Sequence, residues 1–322
     1  DTYPVYGEHR RHELRPLATV SRSSPSTVLF NRPVRETNPL KWAAFYSCGL
    51  ATRAPQEIMP DDTAVDVPKI AEVPIVYRHE WNSHLLSIRI ARDDTYRFRP
   101  GQFARIGLKD ETGETIWRAY SIVSAPQQPF LEFFLVVLPG GKFSARVAKL
   151  GTGDKILLER PAQGFLTLDR FADGEDLWLI GTGTGLAPYI SMLRDASTWT
   201  RFNNIVISLS VRESCDLAYV EEIEALAASH NAGEAKLHFV KSLTREPDAA
   251  AAANVLHGRL TTLTESGELE KHAGLKFDHT KSRFMLCGNP EMVEAMRAIL
   301  KARGFAMNRR LTPGHIIVEN YW

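Results

Sequence analysis

Between about residue 73 and residue 158 the chain alternates apolar and polar positions in short runs, at 73–77, 86–90, 103–106, 120–123, 131–138 and 155–158. Turn-forming clusters separate them: Arg99-Pro100-Gly101, residues 109–113, residues 126–129 and Pro139-Gly140-Gly141. Short strands at a spacing of roughly 8–12 residues predict an antiparallel sandwich or barrel. Between the last two runs, Phe143, Val147 and Leu150 recur at i, i+4 and i+7, as one short helix would place them.

After Gly174 the rhythm changes. Apolar strands are expected at 177–180, 204–209, 237–240, 284–287 and 316–318, with helices at 187–194, 219–229 and 291–303. Strands alternating with helices imply βαβ units and a doubly wound parallel sheet. The expected division is an irregular extension over 1–72, an antiparallel β-barrel over 73–170 and an α/β domain over 171–322. The alanine run at 249–253 reads as a surface loop or frayed helix.

The extension follows neither period. Prolines at 4, 16, 25, 33, 39, 55, 60 and 68 interrupt every possible element. The first residue, Asp1, is not an initiator methionine, so the segment reads as a tail, linker or displaced start. Its arginines also suit an organellar transit peptide, although Glu8, Glu13 and Glu36 weigh against one.

Composition narrows the class. With 39 Lys+Arg against 38 Asp+Glu, the net charge of +1 provides no global field for nucleic acid or an anionic membrane. No apolar run approaches the roughly 18 residues of a membrane span. Cys48, Cys215 and Cys287 are too far apart for a disulfide framework or a C-x-x-C pair, which favours a reducing compartment and a cytoplasmic location. The histidines, among them His79, His84, His238, His257 and His315, show no metal-ligand spacing, so no metal site is expected.

Three segments carry chemistry. Gly181-Thr182-Gly183-Thr184-Gly185-Leu186-Ala187-Pro188 joins an apolar strand to a helix, where glycines admit an anion and the helix start offers free N–H groups. Leu186 breaks the G-x-G-x-x-G pattern, so a simple tight turn also accounts for the loop taken alone. Arg212 and Arg245 follow the second and third strands and Arg259 comes soon after, and guanidinium forks match the oxygens of a 2′-phosphate; solvated loop arginines are the plainer reading of each singly. Arg118-Ala119-Tyr120-Ser121, expected at a strand start in the barrel, pairs a cation with an aromatic ring that could face a planar cofactor.

Taken in order, R-x-Y-S at 118–121, Gly141-Lys142-Phe143-Ser144, G-T-G-T-G-x-x-P, Cys287-Gly288-Asn289-Pro290 and the terminal Val318-Glu319-Asn320-Tyr321-Trp322 resemble the ferredoxin/flavodoxin–NADP+ reductase superfamily. Within it, the chain looks closest to bacterial-type enzymes ending in Tyr-Trp. The resemblance spans residues 73–322. It implies FAD held by Arg118, Ala119, Tyr120 and Ser121, with Tyr120 against the isoalloxazine. Phe134, Leu135 and Val136 would line the flavin, and Lys142, Phe143 and Ser144 would hold its phosphates. Tyr321 and Trp322 would close over it.

Gly183, Thr184 and Gly185 would receive NADP(H), with Thr184 between flavin and nicotinamide. Arg212, Thr244, Arg245 and Arg259 would take its 2′-phosphate end, and Cys287, Gly288 and Asn289 the nicotinamide side. Tyr120, Thr184, Cys287 and Glu319 would surround the reaction. By itself Cys287 reads as an apolar filler, and Glu319 as either a proton relay or a surface acid. Gly181 and Gly185 depart from the family pattern, where similar members carry Ala.

The implied activity is hydride exchange between NADPH and FAD coupled to single-electron exchange with ferredoxin or flavodoxin, by a monomer. Arg97, Arg99, Arg105, Lys142 and Arg170 are potential contacts for an acidic carrier. An oxygenase or free flavin reductase shares the domain pair, and a non-catalytic NADP(H) sensor would keep the fold without the flavin. The plant-type ferredoxin spacing C-x₄-C-x₂-C is absent, so no fused iron–sulfur outlet of that type is encoded.

Overall fold

The computed structural model describes residues 68–229, 233–246 and 255–319. Cys48, the alanine run at 249–253, Tyr321 and Trp322 lie outside the described residues, as does the extension up to residue 67.

The first sheet contains β1 (Ile70–Glu80), β2 (Leu85–Ala91), β3 (Phe103–Lys109), β4 (Thr115–Ser121), β5 (Phe130–Val136) and β6 (Lys155–Glu159), in the order β4-β3-β6-β1-β2-β5. All five pairings are antiparallel. Alternate side chains face one core that includes Ile75, Ile88, Ile90, Ile106, Phe133 and Leu158. Among the described residues β4 and β5 form no ladder; just beyond the end of β4, Ile122 bridges Phe133 and the Val123 amide donates to the Glu132 carbonyl at 2.8 Å. The barrel is therefore closed at one end of this seam and open along the rest.

The R-x-Y-S segment lies at the end of β4, correcting the expected strand start. The strand begins earlier, at Thr115, where Ile116 and Trp117 pair with Leu108 and Gly107. Each of Thr115, Ile116 and Trp117 remains partly exposed, so no apolar alternation marks the first half of the strand. A single turn, α1 (Ser144–Val147), precedes β6, with Phe143 and Val147 buried in the barrel core.

The second sheet is parallel. It begins with β7 (Asp176–Thr182), which leads through a 3₁₀ turn at Gly183–Leu186 into α2 (Ala187–Leu193), and a short α3 (Ala196–Trp199) follows. Next come β8 (Asn204–Val211), α4 (Val220–Ala228), β9 (Lys236–Leu243) and β10 (Val255–His257). The chain continues through α5 (Leu260–Glu265), α6 (Glu268–Ala273), β11 (Ser282–Cys287), α7 (Pro290–Ala302) and β12 (Ile316–Glu319). The strand order is β10-β9-β8-β7-β11-β12.

Sequence patterning missed β10, α3, α5 and α6. Each is six residues or shorter, and Gly267 separates α5 from α6 with a left-handed φ of 80°. Too few residues remain in either helix to show a 3.6-residue period.

Burial on both faces makes the central strands continuous apolar runs. Leu177 and Leu179 point to one face of β7, while Trp178 and Ile180 point to the other, beneath the cluster that contains Leu263, Met296 and Leu300. The first face is shared with barrel residues Leu85, Val123, Phe134 and Leu166. That common apolar layer fixes the barrel against the parallel sheet.

Candidate functional site

The open seam of the barrel faces the turn after β7, and the two enclose a cleft of about 290 Å³. Arg118, Ala119, Tyr120 and Ser121 form one side, and Phe134 and Val136 line it from β5. Lys142, Phe143 and Ser144 complete the barrel wall, while Thr184, Gly185, Cys287 and Gly288 contribute the opposite wall. Residues separated by up to 170 positions in sequence thus meet in one cavity. Gly141 of the 141–144 motif also lines it, as do Leu138 and Ala187, whose residue types announce no chemistry.

The side chain of Leu135 is excluded from this set. Successive residues on a strand face opposite ways, so with Phe134 and Val136 at the cleft Leu135 turns into the barrel core, where it is buried. Ser144 has a local task as well, because its hydroxyl accepts the Leu138 amide at 3.0 Å and closes the 138–144 turn. Phe143 is buried, 5.9 Å from the Tyr120 ring in a tilted arrangement. Burial pushes the Tyr120 phenol up to about 12, so its hydroxyl remains neutral.

On the opposite wall, two strand-to-helix turns interlock. Thr182 Oγ1 accepts the amide of Asn289 at 2.8 Å. Gly288 has φ +129°, and a Cβ there would lie 2.3 Å from Thr182 Oγ1. The Asn289 side chain accepts the Glu291 and Met292 amides and caps α7, so it serves its own helix and does not line the cleft. Pro188 occupies the first turn of α2, where no N–H is needed. Gly183 adopts φ +53° at the start of the 3₁₀ turn.

Cys287 ends β11 in register with Glu319 of β12. Both are buried, at 5% and 7% exposure. Burial, followed by the negative charge of Glu319, pushes the Cys287 thiol well above its usual range. It remains protonated and shapes the cleft without nucleophilic character.

Arg212, Thr244, Arg245 and Arg259 lie outside the cleft, on exposed positions beyond the carboxyl ends of β8, β9 and β10. The Arg245 amide donates to the Arg212 carbonyl at 2.9 Å, which joins two of these loops. Their grouping follows from adjacent parallel strands ending at the same edge, the usual ligand edge of open α/β sheets.

The possible carrier contacts are already partly committed. Arg99 pairs with Asp169 at 2.6 Å and Arg105 with Glu159 at 2.7 Å. The Arg170 guanidinium lies 5.4 Å from the centroid of the exposed Phe165 ring.

The residues present fit a flavin nucleotide. The outer edge of β4 has no strand partner beside Arg118 and Tyr120 among the described residues, so its backbone groups are available to a ligand. An aromatic surface and the cations Arg118 and Lys142 accompany that edge.

An antiparallel barrel whose open seam is lined by Arg118, Tyr120 and Lys142, set against a parallel sheet with a glycine-rich first turn, defines a two-domain flavin and nicotinamide-nucleotide oxidoreductase. Residues 76–166 match the oxidoreductase FAD-binding domain family, and residues 179–298 the oxidoreductase NAD-binding domain family. The chain belongs to the ferredoxin/flavodoxin–NADP+ reductases. It is 38% identical over 258 residues to ferredoxin–NADP reductase A of Sorangium cellulosum, covering 79% of this chain and 90% of that one. It is 39% identical over 243 residues to the flavodoxin/ferredoxin–NADP reductase of Escherichia coli K12, covering 75% and 94% respectively. A ferredoxin NADP+ reductase from Neisseria gonorrhoeae, solved with bound FAD and NADP, superposes with a TM-score of 0.73 at 36% identity, covering 80% of this chain and all of that one.

Proposed function

We propose that the cleft residues divide into a flavin wall and a nicotinamide wall, within an FAD-dependent ferredoxin/flavodoxin–NADP+ reductase. The observation that carries this assignment is the convergence of the R-x-Y-S segment, Lys142-Phe143-Ser144, Thr184 and Cys287 on one cavity. Arg118, Ala119, Tyr120, Ser121, Phe134, Val136, Lys142, Phe143 and Ser144 would hold FAD, with Leu135 contributing at most its backbone. Tyr321 and Trp322 remain proposed contacts from the chain terminus. Bound FAD would supply the conversion between a two-electron hydride donor and one-electron carriers.

Gly183, Thr184, Gly185, Cys287 and Gly288 shape the entry of the nicotinamide, with Asn289 contributing only by capping the helix that begins beside it. Arg212, Thr244, Arg245 and Arg259 recognise the 2′-phosphate and favour NADPH over NADH. Hydride transfer requires the reacting atoms within about 3–3.5 Å, and the interlocked turns at Gly185 and Gly288 give a rigid platform for that approach. Glu319, in register beside Cys287 on the neighbouring strand, is the one carboxylate of the proposed reaction set and the group assigned to proton exchange there.

The proposed domains retain the junction near residue 170, while the first boundary moves to Ile70, where β1 begins. The proposed working form is a monomer in the cytoplasm. Among the described residues, no helix is long and apolar enough to cross a membrane. Acidic ferredoxin or flavodoxin would dock through residual basic charge at Arg97, Lys142 and Arg170, with Arg99 and Arg105 weakened by their ion pairs.

Anaerobic titration of the purified yellow protein tests the core assignment. Release of FAD from the denatured protein, and bleaching by NADPH much faster than by NADH, is the expected result. A colourless protein that still binds NADPH would leave the sensor reading instead.

A further inference from the structure

Behind the cleft, a buried ionic junction ties its two walls together. Glu132 lies on β5, two residues before Phe134 and four before Val136, both of which line the cleft. Arg194 is the carboxyl cap of α2, the helix whose first residue, Ala187, lines the opposite side. The pair meets at 3.0 Å with side-chain exposures of 5% for Arg194 and 3% for Glu132.

Further contacts give the junction one geometry. Arg89 Nε donates to Glu132 Oε2 at 2.9 Å, and the Tyr219 hydroxyl donates to Oε1 at 2.8 Å. Arg194 donates to both oxygens of Glu222 on α4, at 2.6 and 2.8 Å. The Ser191 hydroxyl donates to the Ser124 carbonyl at 2.7 Å, and Gln127 Nε2 donates to the Arg194 carbonyl at 2.8 Å. Phe134 packs edge-on against Tyr219 with centroids 5.3 Å apart, linking the junction directly to a cleft-lining ring.

We propose that the Glu132–Arg194 junction is a positioning device for hydride transfer, setting the separation of the flavin and nicotinamide walls without touching either cofactor. The inference rests on the wall assignment above. A purely apolar layer would also hold the halves together, but the attraction behind it is non-directional. The junction instead couples β5 to α2 through directional, charge-assisted bonds, so a small shift at Arg194 is carried along the helix to Ala187 and into the 3₁₀ turn that holds Thr184 and Gly185. Placement errors of about 1 Å can cost on the order of a hundredfold in rate.

The test uses FAD-loaded enzyme carrying Glu132→Gln or, as a milder change, Tyr219→Phe. Stopped-flow bleaching at saturating NADPH should slow by about tenfold to a hundredfold in Glu132→Gln and less in Tyr219→Phe. Calorimetric affinity for 2′-phospho-AMP should stay within about twofold, because the phosphate-end loops are not part of the junction. Hydrogen exchange should rise at residues 134–136 and 183–187 while the centre of the parallel sheet stays protected. If Glu132→Gln does not fold, Tyr219→Phe alone carries these outcomes.

Bleaching and exchange at parental values would overturn the proposal. So would a general loss of protection together with weaker 2′-phospho-AMP binding, since that result describes global destabilisation. Failure of the parent enzyme itself to bleach with NADPH would instead reject the underlying wall assignment, and the exchange measurement would still show whether the junction holds the walls.

Discussion

A Cβ at Gly185 would lie 2.5 Å from the carbonyl oxygen of Cys287 and 2.8 Å from the Gly288 Cα. The neighbouring atoms are backbone, so no rotamer change relieves the overlap. Gly185→Ala should destabilise the protein by about 1–3 kcal/mol, the range for overpacking a filled interior. Urea unfolding with an unchanged m-value would register the loss as a lower midpoint. A parental midpoint would show that the two turns can separate at little cost.

Arg212 and Arg245 are joined through their backbones, and both belong to the proposed 2′-phosphate site. Removing one charge-assisted phosphate contact costs about 1.5–3 kcal/mol, or about tenfold to a hundredfold in affinity. Arg245→Ala should therefore raise KM for NADPH by that order while leaving KM for NADH nearly unchanged. Retained discrimination between the coenzymes would place the 2′-phosphate elsewhere.

Burial opposes ionisation of Glu132, but Arg194, Arg89 and the Tyr219 hydroxyl overcome it and hold the carboxyl below the usual carboxylate range. A carboxyl depressed on folding contributes stability above its unfolded pKa and loses that contribution as pH falls through the folded value. Acid titration below about pH 4.5 should thus destabilise the parent more steeply than Glu132→Gln. The difference should approach at most about 1.4 kcal/mol per pH unit. Parallel slopes in urea midpoints between pH 5 and 3 would contradict this.

The thiols should differ in access. Cys215 is exposed, whereas Cys287 is buried and protonated. Residual desolvation and the carboxylates of Asp216, Glu213 and Glu246 also raise the Cys215 pKa, so it should alkylate more slowly at pH 8 than a free thiol. Peptide mapping after iodoacetamide should find modified Cys215 and unmodified Cys287 until denaturant is added. Early labelling of Cys287 would mean that the cleft opens at that strand end.

How much was legible depended on whether a signal was local. The strand spacing of the barrel, the strand–turn–helix around Thr184 and the long amphipathic α7 each complete their pattern within one continuous window. The short α5 and α6 do not, and β4 lacks apolar alternation at its beginning. Among site residues, the R-x-Y-S segment and Gly141-Lys142-Phe143-Ser144 could be read as motifs, while Leu138 and Ala187 gave no signal because their types carry no chemistry.

By itself, the sequence determined the two architectures, the identity of the nucleotide-type turn and the family pattern, because these rest on backbone periodicity and on residue types at fixed short spacings. Only the tertiary structure decided that the barrel seam opens toward Thr184, that Leu135 turns away from the cleft and that Glu132 meets Arg194 behind it. The last contact joins residues 62 positions apart. Such pairings depend on how a strand edge and a helix face are brought together by the packed core, and no local period encodes that distance.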